Sequence, residues 1–475
     1  MDKQKRLVIV ALMLITFLAA FEGTVVSTAM PTIANDLDGY SLISWIFSAY
    51  LLTSAIFIPI YGKVSDMIGR KKVLTVGIII FLIGTTLSGF SQTMVYLIIS
   101  RSIQGVGAGA ILTLTYTIIG DLFETSEKIK IQGWLSTIWG VSSLLGPFLG
   151  GLILARLTWH WIFFVNIPFG LAGIYMINKN LKENIHKKKV SIDFIGIILL
   201  SISITSLLFA FLELSDIYLL YIYILIFIIS LIGFIIAEKK VLDPLVPFNI
   251  FNKPSIIANV LGFIVSMIII AVQTYMPIYT QDVLGYSPLA SGLFLAPLSF
   301  AWFLSSFILA KTLVKYGEKI CIFVAIIILL LTLIVLNFLN LSTPIYILIV
   351  TMFIMGFGFG GIINSTLIVV QNSVDPSDRG VSISTLNLIR TIGQTVGVSI
   401  FGGILNSQVA KYFATKGYNG VTINDLSTTN NIFNLTIEQI KNGFLFGVHN
   451  IFVVLLILGI VCVFFGIFIP KRKVL

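Results

Sequence analysis

Two residues stand out chemically because their surroundings cannot solvate them. Glu22 lies within an apolar run from 7 to 29, and Arg101 lies within another from 95 to 119. An ionised side chain at the centre of a membrane helix costs about 2.5–3.5 kcal/mol on insertion scales, so such residues pair or serve a function. Counted from the outer ends of their runs at helical rise, both sit about 10 Å deep. Equal depth predicts an ion pair, direct or through water. A carboxyl group out of water holds its proton more tightly, and a neighbouring guanidinium opposes this. A pair whose contact or water access changes with conformation could therefore load and release a proton. The plainer reading is a static ion pair. A third embedded ion, Arg390, shares a helix with Gly393 and Gly397, and no residue type in the sequence announces its partner.

Helical spacing places Arg101, Gln104, Gly105 and Gly109 along one face. Gly140, Gly146, Pro147, Gly150 and Gly151 share another apolar run, where small residues admit a close neighbour and the proline bends the helix. The segment from Gly62 to Lys72 carries Asp66, Gly69 and Arg70. Its glycines suit a tight turn, Asp66 and Arg70 are spaced to meet, and Asp121 is a candidate third member. A weaker echo retains Lys311 and Gly317 but has Val314 in place of the aspartate. This asymmetry suggests a latch.

The elements holding these residues follow from composition. The chain has 475 residues, 57% apolar and 11% charged, against about 25% charged in soluble domains. Apolar runs long enough to cross a bilayer span 7–29, 42–61, 73–90, 95–119, 131–155, 161–178, 193–213, 218–237, 255–278, 290–310, 320–339, 344–367, 382–405 and 444–469. Lipid offers no backbone hydrogen bonds, so these are fourteen helices and the fold is all-α. An even number puts both termini on one side. With the amino terminus inside, Arg156, Lys411, Lys416 and Lys441 fall outside and Arg101 and Arg390 within helices, while every other Lys and Arg falls inside. The net charge of +10 thus reports orientation and does not indicate nucleic-acid binding. Cys321 and Cys462 lie inside apolar runs and indicate neither a disulfide framework nor a metal site.

The chain repeats itself. Met30, Pro31, Asp36, Gly39, Tyr40 and Ser41 recur as Met276, Pro277, Asp282, Gly285, Tyr286 and Ser287, and Gly105, Gly107 and Gly109 recur as Gly356, Gly358 and Gly360. Both copies start on the same side, so they are parallel six-helix units. The predicted plan is 1–180 as the first bundle, 181–245 as a basic linker with two inserted helices, and 246–475 as the second bundle with a long outer loop at 406–443. A substrate path belongs between the bundles, near the midplane.

Together these features resemble the major facilitator superfamily, specifically its fourteen-helix drug:proton antiporter branch, over essentially the whole chain. Residues 62–72 look like motif A, Arg101–Gly109 like motif B, and Gly140–Gly151 like the antiporter motif C. Phe21–Pro31 resembles the first-helix signature of that branch, with Glu22 and Ser27 where Asp and Asn are usual. The resemblance implies alternating access, with inward proton flow driving export of lipophilic compounds and the proton gradient in place of a cofactor. Some relatives exporting divalent cations use a second-half membrane carboxylate. None falls within the last six apolar runs, and Glu213 lies near a helix end, so neutral or monovalent cationic substrates are expected. Polarity on the helices expected to line the path nominates Tyr50, Gln104, Tyr116, Gln273, Asn364 and Arg390 as substrate contacts. Partners are then small lipophilic substrates, protons and membrane lipids, for a monomer in the bacterial cytoplasmic membrane with both termini cytoplasmic. A translocase of a lipid or glycolipid precursor, or a tetracycline or monovalent-cation exchanger, would share the fold. A membrane transferase would need an acidic metal-binding cluster, which the inner loops lack.

Overall fold

The computed structural model describes residues 3–123, 125–182, 193–212, 217–241, 244–246, 248–375, 379–426 and 435–470. Most of the basic linker, Glu213, the middle of the 406–443 loop and the basic tail lie outside them. Among the described residues are fourteen helices long and apolar enough to cross a membrane: α1 (Lys3–Asp36), α2 (Ile43–Ile68), α3 (Arg70–Gly89), α4 (Met94–Leu122), α5 (Thr125–Arg156), α6 (Trp161–Asn180), α7 (Phe194–Leu212), α8 (Ile217–Glu238), α9 (Lys253–Ile278), α10 (Pro288–Leu309), α11 (Lys315–Leu336), α12 (Ile345–Asn372), α13 (Arg379–Thr415) and α14 (Ile437–Ile467). Several run past the apolar segments that nucleate them, because polar turns at a water interface can stay hydrogen-bonded within the helix. Caps fix the starts: Thr93 Oγ1 accepts from the Tyr96 amide, Ser287 Oγ from Ala290, and Thr436 forms a reciprocal box with Gln439.

The two copies are visible in how the helices pack. In the first, α1 lies on α5 and α6, while α4 lies on α2 and α3. In the second, α9 lies on α13 and α14, and α12 on α10 and α11, the same pattern eight helices on. Contact between the copies also comes in equivalent pairs, α5 with α10 and α2 with α13, and α1 meets α9. The architecture is the expected all-α membrane fold of six, two and six helices.

Gly69 and Gly317 mark corresponding turns between the second and third helices of each copy, with φ of 102° and 78°. An L side chain in that region is strained, so glycine is required at both. In the second copy the chain is otherwise helical from Pro288 to Leu336, interrupted at Gly317.

The inserted pair, α7 and α8, packs one helix on the other. Of the two, α7 also touches both α2 and α13, covering that seam, and Leu200, Ile204 and Phe234 join Ala55 and Leu388 in a small apolar core. Tyr221, Leu225 and Ile229 of α8 remain exposed, as side chains meeting lipid would be. At the foot of the pair, Asp193 Oδ1 accepts from the Gly196 amide at 2.8 Å and Glu238 Oε2 from the Val246 amide at 3.0 Å.

Candidate functional site

Glu22 of α1 and Arg101 of α4 are both fully buried, each at 0% exposure. Arg101 Nη1 donates to Glu22 Oε1 at 2.7 Å and also to Gln104 Oε1, one turn along α4. Asn166 Nδ2 of α6 donates to the second carboxylate oxygen of Glu22, and lies 3.5 Å from Thr85 Oγ1 on α3. The guanidinium carbon of Arg101 stacks 4.3 Å from the Tyr50 ring centroid on α2. Side chains from α1, α2, α4 and α6 thus enclose one ion pair. Removing two charges from water is repaid only when the remaining donors and acceptors are satisfied as well; here both carboxylate oxygens have partners, whereas Arg101 Nε, Gln104 Nε2 and Asn166 Oδ1 are buried without one.

Backbones come close enough for this because the bordering helices carry glycines where side chains would collide. A methyl at Gly105 would strike the Tyr50 carbonyl, and one at Gly84 the Gln104 backbone. On α5 the small residues face two directions. Gly146 and Gly150 lie against Thr24, Val25 and Thr28 of α1, whereas Gly140 and Gly151 lie against Phe303 and Leu289 of α10. Gly292 on α10 packs in turn on the Pro147 carbonyl. Hence α5 forms a wedge between the Glu22 helix and the other copy.

In the turn 62–72, Arg70 bridges two acids, with Nη2 2.8 Å from Asp66 Oδ1 and Nε 2.7 Å from Asp121 Oδ2. Gly62 and Gly69 flank this cluster, which ties α2, α3 and α4 together at the basic end of the bundle. Asp66 and Asp121 are 36% and 50% exposed in their side chains, so this is a solvated network unlike the one at Glu22.

The nominated substrate contacts divide. Tyr50 and Gln104 belong to the Glu22 cluster. Asn364 Nδ2 donates to Ser306 Oγ at 3.0 Å, joining α12 to α10. Arg390 Nη2 donates to the Ile363 carbonyl at 2.7 Å and to Thr366 Oγ1 at 2.9 Å, both on α12, which supplies the partners absent from the sequence reading. Tyr116 is half-buried on α4, packed against the apolar core of the first copy. Gln273 is half-buried on α9, and no described hydrogen bond brings it to the others.

Sequence reasoning missed Asn166 and the reach of the last six spans, which extend past their apolar runs to take in Asp282, Glu318 and Glu438. The apolar run ends at residue 278, but the chain continues as a π-turn over Tyr279–Val283, so the span reaches Val283 and includes Asp282. The expectation that no carboxylate falls within the last six spans is therefore corrected. Asp282 Oδ1 accepts from Tyr40 Oη at 3.0 Å, joining the copies. Gln281 Nε2 donates to the Thr28 carbonyl at 3.0 Å, Ser41 N to Asn424 Oδ1 at 2.8 Å, and Asn406 Nδ2 to the Ser41 carbonyl at 3.1 Å. These contacts join the copies at the end opposite the basic one. The repeat offset was the available signal, since Asp282 matches Asp36. Asp36 itself accepts from Trp159 Nε1 at 2.7 Å, within its own copy. Among the described residues, no group of three or more His, Cys, Asp or Glu is placed to hold a metal ion, and both cysteines are free and buried.

Two parallel six-helix bundles meeting along their length, with buried ions and a solvated ion-pair cluster at one end, define a membrane transporter. The model of the Major Facilitator Superfamily matches residues 12–398, and the chain belongs to that family. It is 35% identical over 407 residues to multidrug resistance protein 3 of Bacillus subtilis (strain 168), covering 84% of this chain and 79% of the relative. It is 32% identical over 399 residues to the multidrug efflux pump SdrM of Staphylococcus aureus (strain N315), covering 83% and 88%. Among solved structures, a bacterial homologue of the human lysosomal transporter Spinster, inward-facing and occupied, aligns with a TM-score of 0.69 at 14% identity over 98% of this chain and 97% of that one. A D-xylose-proton symporter aligns with the same score at 13% identity over 99% of each. At these identities the two structures share the fold.

Proposed function

We propose that this transporter is a proton-coupled antiporter that exports lipophilic compounds across the bacterial cytoplasmic membrane by alternating access; with Asp282 inside the ninth span, the ground for limiting the cargo to neutral or singly cationic species falls away. The observation that carries this reading is Glu22, a fully buried carboxylate whose charge depends on Arg101, Asn166 and the packing of four helices. Proton exchange at Glu22 requires water to reach it, and rearrangement of α1 against α4 would provide that access. Relatives named for multidrug resistance and multidrug efflux support drugs as cargo. The positive-inside rule places the basic end, and with it both termini, in the cytoplasm. The polar contacts around Tyr40 and Asp282 then close the outer face, while Arg70 with Asp66 and Asp121 regulates the inner one. The bundles 1–180 and 246–475 move as the two working bodies.

Uptake of a fluorescent lipophilic dye into energised inverted vesicles, wild type beside E22Q, tests the assignment. Wild type is expected to accumulate dye and release protons from the vesicle lumen, and E22Q to do neither. Undiminished proton-driven uptake by E22Q would remove Glu22 from the mechanism. Dye-independent defects in envelope lipids on deletion, with no dye uptake by the wild type, would instead support a lipid translocase.

A further inference from the structure

At the foot of the inserted pair two carboxyl groups meet away from water. Asp193, just before α7, is 6% exposed, and Glu238, the last residue of α8, is 2% exposed. Each gives one oxygen to a backbone amide: Asp193 Oδ1 accepts from Gly196 and caps α7, and Glu238 Oε2 accepts from Val246, where the chain enters the second bundle. The other two oxygens, Asp193 Oδ2 and Glu238 Oε1, are buried with no hydrogen-bond donor. They also face each other. A Cβ on Gly196 would collide with both, so glycine there is what lets them meet, and the two side chains are hydrogen-bond neighbours.

No cation offsets them. Lys239 and Lys240 follow Glu238 and are exposed, and the helices packed on α7 carry Lys63 and Asp66 on α2 and Arg379 and Arg390 on α13 in their inner halves; yet among the described residues neither acid forms an ion pair. Two carboxylates held this close out of water cannot both stay ionised, because neither their repulsion nor their lost hydration is compensated. A single proton answers both needs, since it donates from one free oxygen to the other and leaves one charge for the two amides to stabilise. A metal ion asks for more: calcium and magnesium gather about six or more oxygen ligands, and no group of three or more His, Cys, Asp or Glu is placed to hold one among the described residues.

We propose that Asp193 and Glu238 form a proton-binding site separate from Glu22, in which one shared proton joins Asp193 Oδ2 to Glu238 Oε1 and fastens both inserted helices to the start of the second bundle. With the orientation proposed above, the site lies at the cytoplasmic face. The clasp holds while the proton stays. Its loss to an alkaline cytoplasm sets two like charges against each other beneath the helix that bridges α2 and α13.

Infrared spectroscopy of the purified protein in liposomes tests this, with E22Q as the background so that Glu22 does not contribute. Two acids sharing one proton make a distinctive prediction: at neutral pH either D193N or E238Q, each setting an amide donor opposite the remaining carboxylate, removes the same protonated-carboxyl band in full. Bands unchanged in both variants overturn the proposal, and a band lost in only one overturns the sharing, since one acid then holds the proton alone. Raising the pH should abolish the band in E22Q and lower its unfolding temperature, because a contribution that depends on a bound proton is present at low pH and lost as pH rises. E22Q/D193N should keep its unfolding temperature over the same range, and an equal fall in both overturns the clasp. Stabilisation of E22Q by calcium chloride or sodium chloride, absent with choline chloride and absent in E22Q/D193N, would assign the pair to a metal ion and overturn the proton.

Discussion

The two copies hold their deepest cations in opposite ways. Arg101 is sealed in the first copy by a carboxylate, an amide oxygen and an aromatic face, with no exposed surface. Arg390 in the second is held by one carbonyl and one hydroxyl and is partly accessible. They do not occupy equivalent helices, α4 and α13 belonging to different positions of the repeat. A duplicated framework has therefore kept its packing and diverged in where it places charge. The aspartates that do correspond differ too, Asp36 being tied within its copy and Asp282 across to the other. The frame is symmetric and the polar contacts are specialised.

The largest expected effect breaks the comparison at its strongest point. R101Q leaves the Glu22 carboxylate buried without its counter-ion, and removing one partner of such a pair costs about 3–5 kcal/mol. R390Q removes no ion pair and strands no charge, because the buried guanidinium leaves together with its two hydrogen bonds. Thermal unfolding of the two purified variants should show R101Q well below R390Q, and equal shifts would refute the contrast.

Next in size are substitutions that should behave alike. In G105A the new methyl meets the Tyr50 carbonyl, and in the corresponding G356A it meets the Leu298 carbonyl, so each forces two backbones apart. Overpacking of this kind costs about 1–3 kcal/mol, and unfolding measurements should find the two within error. A large difference would mean that the packing, like the charge, has diverged.

Y40F removes the hydroxyl that donates to Asp282, a loss of about 1 kcal/mol, with its consequence at the interface between copies. Introduced cysteines near Ser41 should react faster with an impermeant thiol reagent added outside, if this contact holds that face closed. A D36N variant, whose bond lies within one copy, should leave that labelling rate unchanged. The smallest effect is expected for D66N, because exposed ion pairs contribute about 0–1 kcal/mol. Its unfolding temperature should barely move, and a drop comparable to that of R101Q would contradict the solvated description of this cluster.

Much of this was legible in the residues. Glu22 and Arg101 could be matched by depth alone, because helical rise converts residue number into position across a membrane. The turn at Gly69 and its echo at Gly317 could be matched because both need positive φ. Arg70 and its two aspartates were legible by charge. Asn166 was not, since one amide in an apolar helix declares neither a partner nor a direction. Asp282 was hidden because apolarity stops at residue 278 while hydrogen bonding does not, and an extra residue in the π-turn carries the helix onward. The partners of Arg390 could not be read, because the Ile363 carbonyl belongs to the backbone and the Thr366 hydroxyl is one of many in the apolar helices.

The inserted pair has a mechanical consequence. Without it the protein would present the bilayer with a nearly two-fold outline, and rocking about that axis would strain both flanks alike. With α7 wedged against α2 and α13, and α8 beyond it, the outline carries an outrigger on one flank. Any motion that parts α2 from α13 must drag that outrigger through lipid or shear it from one of its supports. Parting α5 from α10 meets no such load, so the two flanks need not open by the same amount.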